Sequence, residues 1–112
     1  MIIELPWPPT NLRPNAHKHW RSRHGASQSY KTDCLILCRQ AGLQHAEPAE
    51  RHMTLRFCPP DRRRRDMDNM LGQSKWLIDA VAEAVGIDDY HFNFTLVRGD
   101  PVKGGCVEVT LS

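Results

Sequence analysis

The chain has 112 residues, 40% hydrophobic and 25% charged, a balance that suits one globular domain spanning 1–112 and excludes a fibrous or low-complexity class. Its apolar runs are too short to span a bilayer, and the opening Met1-Ile2-Ile3-Glu4-Leu5-Pro6 lacks a signal-peptide pattern, so a soluble, cytoplasmic, non-membrane protein is expected. Net charge is +2, yet residues 1–65 carry 12 Lys/Arg against 5 Asp/Glu and residues 66–112 carry 3 against 8; this is either a dipolar surface or a basic half that recruits a polyanion beside an acidic half that does metal chemistry on it.

Ile2 to Leu5 reads as a short strand, stopped by Pro6-Trp7-Pro8-Pro9. Thr10 to Gly25 is expected to be irregular. From Ser27 a helix carries Tyr30, Cys34, Leu37, Cys38 and Ala41 at helical spacing and ends near Gly42. His52 to Cys58 alternates as a strand, with Met53, Leu55 and Phe57 on one face, and Pro59-Pro60 breaks it. A second helix is expected from Asn69 to about Val85, with Leu71, Ile78, Val81, Ala82 and Val85 on one stripe and Gly86 as its stop. Asp88-Asp89 fall in a turn, Phe92 to Val97 forms a strand, and Cys106 to Leu111 forms the last one. The expected fold is α/β (α+β), in the order β-α-β-α-β-β, with a four-stranded mixed sheet and two main helices. The four cysteines, Cys34, Cys38, Cys58 and Cys106, include no C-x-x-C pair and read as reduced core thiols.

The chemistry concentrates in Arg62-Arg63-Arg64-Arg65-Asp66-Met67-Asp68-Asn69. Residues two apart point the same way in an extended segment, so Asp66 and Asp68, arriving from a strand through two prolines, are placed to address one point. The helix that follows brings backbone N–H groups that favour anions. Two or three carboxylates with waters and substrate phosphates suit Mg²⁺ and phosphodiester hydrolysis. The plainer alternative has Asp68 capping the helix and Asp66 pairing with a neighbouring arginine.

Lys75 lies seven residues past Asp68, nearly the same helix face two turns on, where it would steady a phosphate or the attacking water. An (i, i+4) pair with Asp79 is the competing role. Arg62 to Arg65 are suited to bidentate phosphate contacts. Lys18, Arg21, Arg23 and Lys31, with Trp20 among them, form a second basic stretch able to meet backbone phosphates and a base. His17, His19 and His24 with Cys34 and Cys38 invite a zinc reading, but their spacings fit no standard pattern.

These motifs together, Arg62 to Asn69, Lys75-x-x-x-Asp79-Ala80 and Gly86-Ile87-Asp88-Asp89, resemble the RusA family of Holliday junction resolvases. Leu5-Pro6-Trp7-Pro8-Pro9-Thr10-Asn11 and Gly104-Gly105-Cys106-Val107-Glu108-Val109 are similar to that family's two ends. The resemblance implies a homodimeric, Mg²⁺-dependent endonuclease (Mn²⁺ a possible substitute), often phage- or prophage-encoded, that resolves four-way DNA junctions by symmetric paired nicks in recombination and repair. It implies Asp66, Asp68 and Asp89 as the catalytic metal-site carboxylates, Asp88 as an adjoining acid, Lys75 as the catalytic lysine, and Arg65 near DNA. One departure stands out: the family's lysine follows the second aspartate by four residues, a position held here by Gly72. The competing functions are a catalytically impaired junction-binding module and a zinc-stabilised interaction domain. Convergence of Asp66, Asp68 and Asp89 within reach of one ion is the structural expectation.

Overall fold

Alternation of apolar and polar residues builds the sheet. In the computed structural model, which describes residues 2–12, 20–43 and 51–112, strand β2 (His52–Cys58) buries Met53, Leu55 and Phe57 as its period-2 pattern requires. Strand β4 (Cys106–Leu111) buries Val107, Val109 and Leu111 on the same face, and β1 (Ile2–Pro6) adds Ile3 and Leu5. With β3 (Asn93–Arg98) these give a mixed four-stranded sheet in the order β1-β4-β2-β3. The β1/β4 and β4/β2 pairs are antiparallel, and β2/β3 is parallel. A parallel neighbour demands a crossover, and helices α2 (Met67–Gln73) and α3 (Lys75–Val85) supply it.

The helices cover one face of this sheet. Helix α1 (Trp20–Gln40) contributes Tyr30, Cys34 and Cys38, and α3 contributes Leu77, Ile78, Val81 and Val85, to one core with the inward strand residues. Tyr30 also donates a 2.7 Å hydrogen bond to the Pro6 carbonyl, tying α1 to the end of β1. Gly86, at φ 74°, closes α3: its N–H bonds Glu83 O and that of Ile87 bonds Ala82 O, the paired bonds of a Schellman motif.

Two helix boundaries differ from the sequence expectation. Helix α1 starts at Trp20 rather than Ser27, because Trp20 to Ala26 carries no apolar stripe to announce it. The expected single helix from Asn69 to Val85 starts two residues earlier and is two helices. At Ser74 the backbone turns to φ −94°, ψ 10°, and its N–H reaches Leu71 O and Gly72 O, short of the four-residue step of an α-helix. The buried Ser74 hydroxyl donates to Met70 O at 2.8 Å, a back-bond that competes with the helix ladder and bends it. The ladder resumes with Ile78 N–H to Ser74 O.

Candidate active site

Leaving β2, Pro59 and Pro60 turn the chain into a loop organised by Asp61. Its Oδ1 accepts 2.9 Å bonds from the Arg63 backbone N–H and from Arg65 Nη1. The Arg65 guanidinium also donates to the Asp61 and Arg63 carbonyls at 3.3 Å and lies 5.6 Å from the Trp7 ring centre. Hydrogen bonding to Arg65, then to the Arg63 N–H, holds the Asp61 carboxyl below the usual carboxylate range. From β3, Arg98 Nη1 donates a 2.7 Å bond to the Arg65 carbonyl.

This loop divides the four arginines into two kinds. Arg65 has a side chain only 22% exposed and spends its donors inside the loop. Arg62, Arg63 and Arg64 are exposed, Arg63 and Arg64 to 85% and 94%. Such guanidiniums remain available for a polyanion. Arg63 and Arg64 border a cleft of ≈ 390 Å³ whose walls include Trp7, Thr10, Asp66 and Asn69.

Asp66 and Asp68 both reach solvent, but not as an extended pair. Asp66 is the extended N-cap residue of α2 (φ −80°, ψ 143°). Its carbonyl accepts the Met70 N–H, and its carboxylate makes no capping bond, lying instead 3.7 Å from Arg64 Nε. Asp68 is already within the first turn of the helix, and its Oδ1 accepts the Asn69 N–H at 3.0 Å. The helix begins at Met67, two residues earlier than its apolar stripe suggests, because Asp66 and Asp68 favour a helix N-terminus.

Asp88 and Asp89 form a second acidic group. Asp88 caps the 3-10 turn Asp89–His91, accepting the Tyr90 N–H at 2.9 Å. That bond, then one with the Asp89 carboxyl, lowers the Asp88 pKa. Asp89 moves the opposite way: its hydrogen bond with Asp88, some desolvation and the nearby Asp79 and Asp88 charges raise it, and Lys75 partly offsets them. The two carboxyls thus titrate as a pair. Lys75 Nζ sits 3.4 Å from Asp79 Oδ2, the (i, i+4) pairing that its spacing allowed. Lys75, Asp79, Asp88 and Asp89 therefore share one electrostatic neighbourhood.

The two acidic groups do not meet within one chain. Arg98 pins Arg65 beside the C-terminal end of β3, whereas Asp89 precedes the N-terminal end of that strand. Six strand residues separate those ends by roughly 17 Å. Among the described residues no three carboxylates bring oxygens within 4.8 Å of one another; Cys58, Cys106 and Glu108 are the group that places three donors that close. The expected convergence of Asp66, Asp68 and Asp89 is thus not met in a single chain. The reason is topological: a crossover between parallel strands delivers the chain from one end of the sheet to the other.

Of the second basic stretch, Arg21 and Arg23 fall in the first turn of α1, while Lys18 lies outside the described residues, as do His17 and His19. Cys34 and Cys38 are buried in the core between α1 and the sheet. Two residues that shape the site were not singled out in the sequence. Asp61 carried a signal, its four-residue spacing to Arg65. Arg98 carried none, because its contact spans 33 residues.

No protein-family model matches the chain. Individual proteins do. The chain is 32% identical to the crossover junction endodeoxyribonuclease RusA of Escherichia coli K12 over 98% of its own length and 92% of that protein's. It is 31% identical, with the same coverage, to the crossover junction endodeoxyribonuclease RusA of Enterobacteria phage 82. An uncharacterized protein of Xylella fastidiosa is 35% identical over 98% of the chain and 74% of that protein. Similarity at this level along nearly the whole length places the chain in the RusA family.

Proposed function

We propose that this protein is a Mg²⁺-dependent, structure-selective endodeoxyribonuclease that resolves four-way DNA junctions by paired nicks, acting as a homodimer. One observation supports the reading beyond family membership: the carboxylates lie in two groups, Asp66 with Asp68 at one end of the helical crossover and Asp88 with Asp89 at the other, which we read as two half-sites. A second copy related by a two-fold axis can set each half beside its complement, giving two equivalent sites. Two equivalent sites are what symmetric cleavage of two strands requires.

The donor chemistry fits a hard cation. The carboxylates are exposed oxygen donors, and the mutual crowding of Asp88 and Asp89, which raises Asp89, is relieved by bound positive charge. Mg²⁺, or Mn²⁺ in its place, supplies water activation and charge neutralisation at the scissile phosphate when bound. The chain's own residues do the rest. Arg62, Arg63 and Arg64 hold backbone phosphates as exposed guanidiniums, with Lys18, Arg21 and Arg23 as a second basic contact. Arg65 fixes the loop that presents Asp66, and Lys75 stands by Asp89 to steady a phosphate oxygen or the attacking water.

The deciding assay is nicking of a synthetic four-way junction with and without Mg²⁺. Asp66→Asn or Asp89→Asn is expected to abolish nicking while junction binding persists, and undiminished cleavage in both variants would refute the assignment. A second reading has its own support. Lys75 follows a helix break and is paired with Asp79, which favours a module that binds junctions without cutting them. Salt-sensitive binding by the unaltered protein with no Mg²⁺-dependent product would select that reading.

A further inference from the structure

On the sheet face turned away from the helices, Cys58 at the end of β2 and Cys106 at the start of β4 are direct cross-strand partners. Both are buried, at 3% and 6% exposure, yet neither belongs to the apolar core cluster. Glu108, two residues along β4 on the same face, completes a set. The two sulfurs and a Glu108 carboxylate oxygen all lie within 4.8 Å of one another. Glu4, the β1 partner of Glu108, places a further carboxylate beside them. We infer that Cys58, Cys106 and Glu108 form a binding site for a thiophilic divalent cation of the Zn²⁺ type.

The chemistry of the donors selects the ion. Two sulfurs and one carboxylate suit the borderline-soft Zn²⁺ and not Mg²⁺, which takes oxygen ligands only. Three protein ligands leave a fourth tetrahedral position for Glu4 or a water. The surroundings also call for a cation. Glu4, opposite Glu108 on β1, adds a second carboxylate to this group, and bound metal takes both sulfurs as thiolates and releases their protons to solvent. Arg56 Nη1, 3.9 Å from Glu108 Oε2, is the cation now facing the group. It can orient one carboxylate oxygen as the other turns to the metal, as outer-shell partners do. Gly99 leaves room for the Cys58 sulfur, which a Cβ at that position would meet at 2.6 Å.

Such a site would clamp the C-terminal end of β2 to β4 just where the Asp61–Asp66 loop departs. It is separate from the aspartates and does not depend on the nuclease assignment. The test uses the full chain, stripped with chelator, kept reduced and titrated with Co²⁺ and then Zn²⁺. One Co²⁺ per chain with a thiolate-to-cobalt charge-transfer band, displaced by Zn²⁺, is expected. Cys58→Ser and Cys106→Ser each remove that band. Glu108→Gln, which keeps both thiols and sits at a half-buried position, keeps the band and weakens Zn²⁺ binding by about tenfold or more, the scale on which even outer-shell changes act. No band in the unaltered protein, or a band that survives both serine substitutions, overturns the proposal; so does unchanged Zn²⁺ affinity in Glu108→Gln.

Discussion

Arg98 donates a 2.7 Å hydrogen bond to the carbonyl oxygen of Arg65, fastening the arginine–aspartate loop to the end of β3. That contact places Asp66 at one end of the strand whose other end leads back to Asp89. The two halves of the candidate site are held apart by the fold.

Separation of the halves makes a prediction about mixed dimers. If each site joins Asp66 of one copy to Asp89 of the other, Asp66→Asn and Asp89→Asn chains complement each other. Random re-pairing of an equal mixture leaves one intact site in half of the dimers, so about a quarter of normal nicking returns. Both single variants are inactive alone. A mixture as inactive as its components would show that the site is built within one chain.

The Asp89 carboxyl is raised from its ordinary value; in the proposed site it should set an acid limit on activity, and its neighbours should move that limit in opposite directions. Lys75 favours the charged form, so Lys75→Met raises the Asp89 pKa further. Asp79 disfavours it, so Asp79→Asn lowers the pKa. Carboxyl carbon NMR titration reads both shifts without requiring turnover, and shifts of the same sign would be inconsistent with this cluster.

Asp61 should confer acid sensitivity on the loop. Its pKa is lowered on folding, so its contribution is complete above the unfolded value of about 3.9 and is lost as pH falls through the lower folded value. Hydrogen exchange at the Arg63 amide, which donates to Asp61 Oδ1, should lose protection in that window. Asp61→Asn should abolish the pH dependence and reduce junction affinity, because Arg65 loses its charged partner.

Gln73 joins the helical crossover to the segment after β1. Its buried side-chain amide donates to the Pro8 and Pro9 carbonyls at 2.8 and 2.9 Å. Gln73→Leu leaves both acceptors without this donor and is expected to cost about 2 kcal/mol. Urea unfolding measures it; a change under about 0.5 kcal/mol, the scale of neutral surface substitutions, would mean water replaces the amide.

Gly105 occupies a left-handed conformation, φ 72°, where a Cβ would lie 2.9 Å from Trp7 Cβ and 3.0 Å from Pro60 Cδ. Gly105→Ala adds backbone strain to that crowding and should destabilise by about 1–3 kcal/mol. Gly104, also at positive φ but with open space around it, serves as the comparison, and its alanine variant should lose less.

Elements with strong local patterns were readable in advance. The alternation of Met53, Leu55 and Phe57 set β2, Gly86 marked the end of α3, and Cys106 to Leu111 matched β4 residue for residue. The first turns of α1 were not readable, since no apolar stripe runs through Trp20 to Ala26. The interruption at Ser74 was hidden as well, because serine breaks a ladder only where its hydroxyl finds a nearby carbonyl in a buried setting. Lys75 illustrates the limit: spacing allowed both a catalytic position and a pair with Asp79, and packing brought Nζ to Asp79.

Sequence by itself determined which residues could do chemistry: the run of arginines, the paired aspartates and the order of strands and helices around them. It did so because those features depend on residue type and short-range periodicity. Tertiary structure decided where they stand relative to one another. The parallel β2/β3 crossover sends Asp66 and Asp89 to opposite ends of the sheet, and the antiparallel β2/β4 register brings Cys58 against Cys106 across 48 residues of chain. Register and crossover arise from long-range packing of the whole sheet, which no local pattern encodes.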